Sequence, residues 1–249
     1  MKYKAIMLDL DDTTVVHGKD SLPTERVATA IAKAKREIHV CIATARPLRE
    51  AIPIMDHLKL SGPCVLADGT QIYDPVKNMI IHNVALPDGF LAPIYRVLKK
   101  NNLKTFLYDG ERDITYNGGI APKNILSVYV PHVVFSDVDR LVDLLSIDPA
   151  IHVQKLHAWD KEFMSIHITS SEASKLHGIL EVARILNITR EEIIGVGDGY
   201  NDFPLLMACG LKIAMGNAVP ELKAIADFIA PTVQEDGVAI ILEKFVLTG

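Results

Sequence analysis

The sequence predicts a doubly wound α/β domain with a second, α+β unit inserted into it. Short apolar runs of the kind that form buried parallel strands alternate with amphipathic segments at both ends of the chain. Residues 85–170 instead hold mostly sequential strands with two helices, a pattern that favours a separate α+β unit. We therefore expect one domain from residues 1–84 and 171–249, and an inserted domain over residues 85–170.

The first part of the chain reads as a strand at 5–8, a helix opened by Ser21 and running to about residue 36, and a strand at 38–43. Pro47 suits the first turn of the next helix, predicted over 47–58. A third strand is predicted at 64–67, and a hairpin at 71–73 and 79–84.

The middle and last parts of the chain differ in their pattern. Within the insertion we predict helices at 89–101 and 137–145, and strands at 104–108, 114–116, 127–130, 151–156 and 163–169. After it, helices are predicted at 175–186, 201–207, 220–226 and 237–246, with strands at 193–196, 211–214 and 228–230. The return of alternating strands and helices marks the second half of the α/β domain.

Composition narrows the class of protein. The net charge of -5 shows no basic footprint for nucleic acid, and no apolar run reaches the ~18 residues needed to cross a bilayer. Cys41, Cys64 and Cys209 form no paired motif, so we expect small buried side chains in a reducing compartment. The sequence thus indicates a cytoplasmic globular protein.

Three carboxylates, Asp9, Asp11 and Asp12, follow the first strand directly. Like charges a few ångströms apart repel by roughly 4 kcal/mol at an effective dielectric constant near 20, and a hard cation such as Mg²⁺ would offset this. Asp9 stands at the carboxyl end of its strand, where open α/β sheets place their sites. The alternative is a solvated turn in which Asp11 or Asp12 caps the next helix.

Polar side chains also follow other predicted strands or open helices of the same domain. Thr44 ends the second strand, Lys175 opens the helix after the insertion, and Asp198, Asn201 and Asp202 end a later strand. The carboxyl ends of parallel strands face one crevice. Acids there would bind Mg²⁺, while a lysine, a hydroxyl and backbone N–H groups would hold a phosphoryl group. A carboxylate can attack phosphorus and form an acyl phosphate that water hydrolyses.

These segments, in this order and spacing, resemble the four motifs of the haloacid dehalogenase (HAD) superfamily. They are Asp9-Leu10-Asp11-Asp12-Thr13, Thr44, Lys175 and Gly197-Asp198-Gly199-Tyr200-Asn201-Asp202. The closing runs at 215–218 and 235–239, and the position of the insertion, resemble the Cof-type branch. The resemblance implies a Rossmann-like core, a cap domain that selects the substrate, and a Mg²⁺-dependent phosphatase of small phosphorylated metabolites.

The resemblance also implies roles for individual residues. Asp9 would be the nucleophile, and Asp11 would be the acid for the leaving group and then the base for water. Thr44, Ala45, Lys175 and Asn201 would bind the phosphoryl group. Mg²⁺ would be held by Asp9, Asp198 and the main-chain carbonyl of Asp11, with Asp202 supporting the metal shell.

The chain departs from the Cof-type pattern at positions outside the acids. Ala45 stands where relatives often have Gly, and Asp68-Gly69-Thr70 replaces a common Asn-Gly-Ala. Two alternatives to a phosphatase stay open: a phosphomutase that returns the phosphoryl group to its substrate, and a receiver-type phospho-acceptor module. A dinucleotide loop is excluded, because Gly195-x-Gly197-x-Gly199 lacks the required spacing and Asp198 would repel a pyrophosphate.

Overall fold

A computed structural model describes residues 2–18, 20–120, 122–146, 148–158 and 162–247. The chain divides into two compact units, Met1–His82 with Lys175–Gly249, and Asn83–Ser174. The second unit is longer at both ends than the predicted insertion at 85–170. Among the helices of the described residues, none has the length and apolar character needed to span a membrane.

The first unit begins with two strands and two helices that alternate. Its elements up to the insertion are β1 (Ala5–Leu8), α1 (Glu25–Ala34), β2 (His39–Ile42), α2 (Leu48–Leu58), β3 (Cys64–Leu66), β4 (Gln71–Asp74) and β5 (Met79–Asn83). The first helix starts later than predicted, because the Thr24 side chain accepts a hydrogen bond from the N–H of Val27 and so caps it. Neither Asp11 nor Asp12 is that cap, so the capping alternative for these two acids is wrong.

The second unit is an α+β structure with its own core. Its elements are α3 (Leu91–Lys100), β6 (Phe106–Tyr108), β7 (Asp113–Thr115), β8 (Ser127–Val133), α4 (Phe135–Leu145), β9 (Ile151–His157) and β10 (Met164–Ser170). The strands form a five-stranded sheet in the order β7-β6-β8-β10-β9, and all four neighbouring pairs run antiparallel. Apolar side chains of both helices pack with Val128, Val130, Ile166 and Ile168 in one buried cluster.

The remainder of the chain completes the first unit. It forms α5 (Lys175–Leu186), β11 (Ile193–Gly197), α6 (Phe203–Met207), β12 (Leu211–Ala214), α7 (Pro220–Ala224), β13 (Phe228–Ile229) and α8 (Gly237–Phe245). The helix predicted over 201–207 is shorter, because Tyr200–Asp202 form a separate turn of 3-10 helix before α6. The free cysteines Cys41, Cys64 and Cys209 are all buried, as predicted.

The main sheet of the first unit is parallel and has the order β13-β12-β11-β1-β2. All four residues of β1 are buried, as expected for a central strand that is covered on both faces. The chain passes from β1 to β2 on one side and later places β11 on the other. A switch point of strand order therefore lies at β1 and β11, and sites in such sheets form at the carboxyl ends of these strands. The predicted doubly wound core with an inserted α+β unit is confirmed.

The helix α5 lies against β3 at a position where only glycine fits. A Cβ atom at Gly178 would stand 2.5 Å from Cγ1 of the buried Val65. This close approach fixes the helix whose first residue is Lys175, so the glycine three residues into α5 positions that lysine.

We expect Gly178→Ala to destabilise the protein although alanine favours helices. The gain in helix propensity is at most about 1 kcal/mol, whereas overpacking a core contact costs about 1–3 kcal/mol. Urea unfolding would measure the difference, with Leu180→Ala on the exposed side of α5 as the control. The double variant Val65→Ala/Gly178→Ala should lose less stability than the two single variants lose in sum. Strict additivity of the two losses would contradict the contact.

Candidate active site

The structure places Asp9 and Asp198 at the adjacent carboxyl ends of β1 and β11. Leu8 pairs with Val196 in the sheet, and the N–H of Asp9 donates to the Val196 carbonyl over 3.0 Å. Asp9 directly follows Leu8, and Asp198 lies two residues after Val196. The parallel register therefore brings side chains from opposite ends of the sequence to one edge of the sheet.

Lys175 joins two of the predicted acids through buried ion pairs. Its Nζ donates to Asp9 Oδ1 and to Asp202 Oδ1, each over 2.6 Å. All three residues are at most 5% exposed. The alternative that Asp9 belongs to a solvated turn is therefore wrong, and Lys175 is a buried partner of the acids rather than a solvated lysine at a helix start.

Asp202 also organises the loop that carries Asp198. Its Oδ2 accepts hydrogen bonds of 2.9 Å from the backbone N–H groups of Asp198 and Gly199. A Cβ atom at Gly197 would lie 2.5 Å from Cβ and Cγ of Asp202, so this position requires glycine. One carboxylate thus holds both the ammonium group of Lys175 and the turn after β11.

Two threonines behind the first acids fix the same site. Thr13 Oγ1 donates to Asp198 Oδ1 over 2.8 Å, and Thr14 Oγ1 donates to the main-chain carbonyl of Asp9 over 2.5 Å. The first of these bonds links the loop after β1 with the loop after β11. No role for Thr13 is predicted from the sequence, because a threonine in a turn carries no signal of a partner so distant in the chain.

The three acids Asp9, Asp198 and Asp202 form a group that can hold one cation. One ligand oxygen from each lies within 4.8 Å of the others, in the only such group of at least three His, Cys, Asp or Glu residues among those described. Lys175 pairs with two of these three carboxylates, so the fully ionised cluster has an excess of negative charge. An all-oxygen donor set with that excess fits Mg²⁺.

The protonation of these groups shows the same excess. Burial, followed by the charge of Asp202, raises the pKa of Asp9 to about 8, although Lys175 opposes the shift. Burial, followed by Asp202 and Asp9, raises the pKa of Asp198 well above its ordinary value. For Lys175, burial alone would lower the pKa, but the carboxylates of Asp202 and Asp9 outweigh burial and raise it. Burial and like charge therefore raise the pKa of both acids, and a cation at this group would oppose that shift.

The second strand end is held in a different way. Thr44 is buried and its Oγ1 accepts a 3.1 Å hydrogen bond from the N–H of Arg46, so its hydroxyl does not cap α2. Ala45, next to it, is half-buried. Because Leu8 pairs with Ile42, both residues follow β2 at the same sheet edge as Asp9. Asn201 lies in the 3-10 turn beside Asp202.

A left-handed turn supports the Thr44 loop from the side of β3. Ala67, Asp68 and Gly69 all have positive φ angles, of 48°, 57° and 89°. The N–H of Ala67 donates to the Arg46 carbonyl over 2.9 Å, and the N–H of Asp68 donates to the Thr44 carbonyl over 3.2 Å. Asp tolerates the left-handed conformation as Asn does, so the departure from Asn at this position preserves the turn.

Asp11 is not part of the acid group that surrounds Lys175. Its carboxylate instead forms a two-bond pair with Arg46, a residue to which sequence analysis gave no role. One signal could have found it. Arg46 stands just before α2, where the helix dipole disfavours a cation, so a buried arginine there requires a carboxylate partner.

The comparisons with known proteins agree with this architecture. The chain matches the haloacid dehalogenase-like hydrolase family over residues 6–143 and 119–242. It is 30% identical to the stress response protein YhaX of Bacillus subtilis, over 85% of this chain and 82% of that protein. It is 26% identical to the 5-amino-6-(5-phospho-D-ribitylamino)uracil phosphatase YcsE of the same organism, over 98% and 96%.

A solved structure shares the whole fold. The HAD subclass IIB sugar phosphatase BT4131 superposes with a TM-score of 0.80 at 18% identity, covering 97% of this chain and 98% of that chain. Strand order, buried acids and lysine define an α/β protein whose candidate site lies at the carboxyl edge of a parallel sheet. The chain belongs to the haloacid dehalogenase-like hydrolases, which confirms the predicted family and the predicted class of enzyme, a HAD-type phosphatase. The receiver-type alternative is thereby excluded.

We expect Lys175→Met to destabilise the protein strongly near pH 8 in a chelator. Removing one partner of a buried ion pair leaves uncompensated charge and costs roughly 3–5 kcal/mol. Urea unfolding would measure the loss. Lys4→Met, which removes an exposed pair with Glu192, should cost less than about 1 kcal/mol. Equal losses for both variants would contradict the buried bridge.

We expect the metal-free protein to lose stability as the pH rises from about 4 to about 8. The pKa of Asp9 is raised in the folded state, so the folded protein binds more protons than the unfolded chain in this window. Mg²⁺ bound at these acids would replace those protons, so the increase in Tm that it causes should be larger near pH 8 than near pH 6.

Thermal unfolding with Mg²⁺ and with a chelator, across this pH range, would measure both effects. Asp198→Asn should abolish the Mg²⁺-dependent increase in Tm, whereas Asp56→Asn on the exposed side of α2 should leave it unchanged. A Tm that is insensitive to Mg²⁺ at every pH would contradict a cation site at these acids.

Proposed function

We propose that the protein is a Mg²⁺-dependent phosphatase of small phosphorylated metabolites that works through an aspartyl-phosphate intermediate. The observation that carries the proposal is the buried bridge of Lys175 to Asp9 and Asp202, with Asp198 close enough to share a cation. A buried carboxylate held by an ammonium group at a strand end is suited to nucleophilic attack on a phosphoryl group.

Asp9 is the nucleophile of the proposed reaction. One carboxylate oxygen forms the new bond to phosphorus, and the bond from phosphorus to the leaving oxygen breaks. Lys175 orients Asp9 and offers positive charge to the phosphoryl oxygens. Thr44 and Ala45, at the end of β2, and Asn201, beside Asp202, bind the same phosphoryl group in this proposal.

Asp11 transfers the protons in both halves of the reaction. It first gives a proton to the leaving oxygen and then takes one from the water that attacks the aspartyl-phosphate. Mg²⁺ would be held by Asp9, Asp198 and the main-chain carbonyl of Asp11, with Asp202 in support, and would supply charge neutralisation for an anionic substrate. The donor set and its excess of negative charge support this assignment.

The substrate class in this proposal is a sugar phosphate or a phosphorylated cofactor or its precursor. The relatives support it, because YcsE is a phosphatase of a phosphorylated ribitylamino-uracil and BT4131 is a sugar phosphatase. The side chains at the edge of the main sheet suit the phosphoryl group common to all such substrates. We propose that the unit Asn83–Ser174 contains the residues that select among leaving groups.

We expect the wild-type protein to release inorganic phosphate from p-nitrophenyl phosphate with Mg²⁺ and to lose this activity in a chelator. Asp9→Asn should lower kcat by at least about 10³-fold, because the neutral amide is a poor nucleophile. Asp56→Asn is the matched control on an exposed surface. Full activity of Asp9→Asn, or turnover independent of metal, would contradict the mechanism.

A panel of sugar phosphates and phosphorylated cofactors, assayed for phosphate release, would identify the substrate class. Stoichiometric release of phosphate supports a phosphatase. Conversion of one sugar phosphate into its isomer with little free phosphate would instead support the phosphomutase.

A further inference from the structure

Arg46 binds Asp11 through a fork of two hydrogen bonds. Arg46 Nε donates to Asp11 Oδ2 over 2.9 Å, and Arg46 Nη2 donates to Asp11 Oδ1 over 2.6 Å. The arginine side chain is 2% exposed and the aspartate side chain 26% exposed. A bidentate pair with one buried partner fixes the orientation of the carboxylate more firmly than a single contact would.

Arg46 is itself anchored at three other points. Its Nη2 also donates to the Gly18 carbonyl over 2.9 Å, its N–H donates to Thr44 Oγ1 over 3.1 Å, and its carbonyl accepts from the Ala67 N–H over 2.9 Å. The guanidinium group is therefore held by the loop after β1, and the Arg46 backbone is held by Thr44 and by the left-handed turn after β3. Such anchoring suits a group that positions another side chain.

The fork matches one of the two proton transfers proposed for Asp11. Both carboxylate oxygens accept N–H bonds, and each oxygen keeps a further lone pair. The charge-assisted fork accommodates the ionised carboxylate. That form accepts a hydrogen bond from water and can take its proton. The geometry therefore suits the second half of the reaction.

We propose that Arg46 is a positioning residue that orients the Asp11 carboxylate to activate water for hydrolysis of the aspartyl-phosphate, an inference that rests on the proposed function. In that step the water oxygen forms a bond to phosphorus and its proton moves to an Asp11 oxygen. The bond between phosphorus and the Asp9 oxygen breaks, and its electron pair returns to the Asp9 carboxylate. Phosphate leaves, and Asp11 keeps the proton for the next leaving group.

The test separates the two half-reactions with p-nitrophenyl phosphate, whose leaving group departs without a proton. In Arg46→Gln, a rapid burst of p-nitrophenolate close to one equivalent per enzyme should precede the slower steady state, because formation of the aspartyl-phosphate from this substrate does not need Asp11. Steady-state turnover should fall roughly 10- to 100-fold, because hydrolysis of the aspartyl-phosphate becomes limiting. Arg46→Lys should restore part of the turnover, since it keeps the charge and loses the fork.

Three further measurements distinguish positioning from structural damage. Arg49→Gln, on the exposed side of α2, should behave as the wild type. The Mg²⁺-dependent increase in Tm should persist in Arg46→Gln. Asp11→Asn/Arg46→Gln should turn over no more slowly than Asp11→Asn, because Arg46 acts through Asp11. The double variant also removes both charges, so it tests the inference even if Arg46→Gln alone folds poorly.

Each outcome supports or overturns one specific claim. A burst and turnover that fall by the same factor, or losses that add in the double variant, would overturn the role of Arg46 while leaving the phosphatase intact. A wild-type protein that neither releases phosphate nor forms an aspartyl-phosphate would overturn the proposed function itself.

Discussion

The candidate site depends on the buried ion pairs made by the ammonium group of Lys175. Lys175 is the first residue of α5, where the helix dipole disfavours a cation, and it is almost fully buried. The carboxylates of Asp9 and Asp202, each at 2.6 Å, compensate the buried charge at that position. The requirement is mutual, because the same acids would repel each other without the lysine. Asp9, α5 and the loop after β11 are thereby fixed together.

The two oxygens of Asp202 extend this dependence to the backbone. One oxygen accepts from Lys175 and the other from the N–H groups of Asp198 and Gly199. The loop after β11 can close around Asp202 only because Gly197 lacks a side chain. Two structural requirements therefore explain the Gly-Asp-Gly sequence. The flanking glycine makes space for one acid, and the central acid presents its carboxylate beside Asp9.

The sequence predicted the parts of the fold and site that depend on local pattern. Apolar runs ending in acids located β1 and β11, and Lys175 was placed at the correct helix start, because strand ends of a parallel sheet share one edge. Arg46 and Thr13 were missed because their partners, Asp11 and Asp198, are chosen by tertiary packing. The start of α1 was predicted too early, because Ser21 and Thr24 both suit a cap and only the bond to Val27 decides between them.

The position of β1 between β2 and β11 has a consequence for how this chain acquires its structure. The bond from Lys175 to Asp9 spans 166 residues, and the whole Asn83–Ser174 segment lies within that interval. Such non-local pairing slows folding, because the entropy cost of closing the loop arises before the stabilising contacts form. During synthesis, β1 has an apolar, unpaired edge until β11, in the last third of the polypeptide, has emerged. Chaperones would protect this edge during that interval. The acidic cluster therefore assembles only when β11 has joined the core.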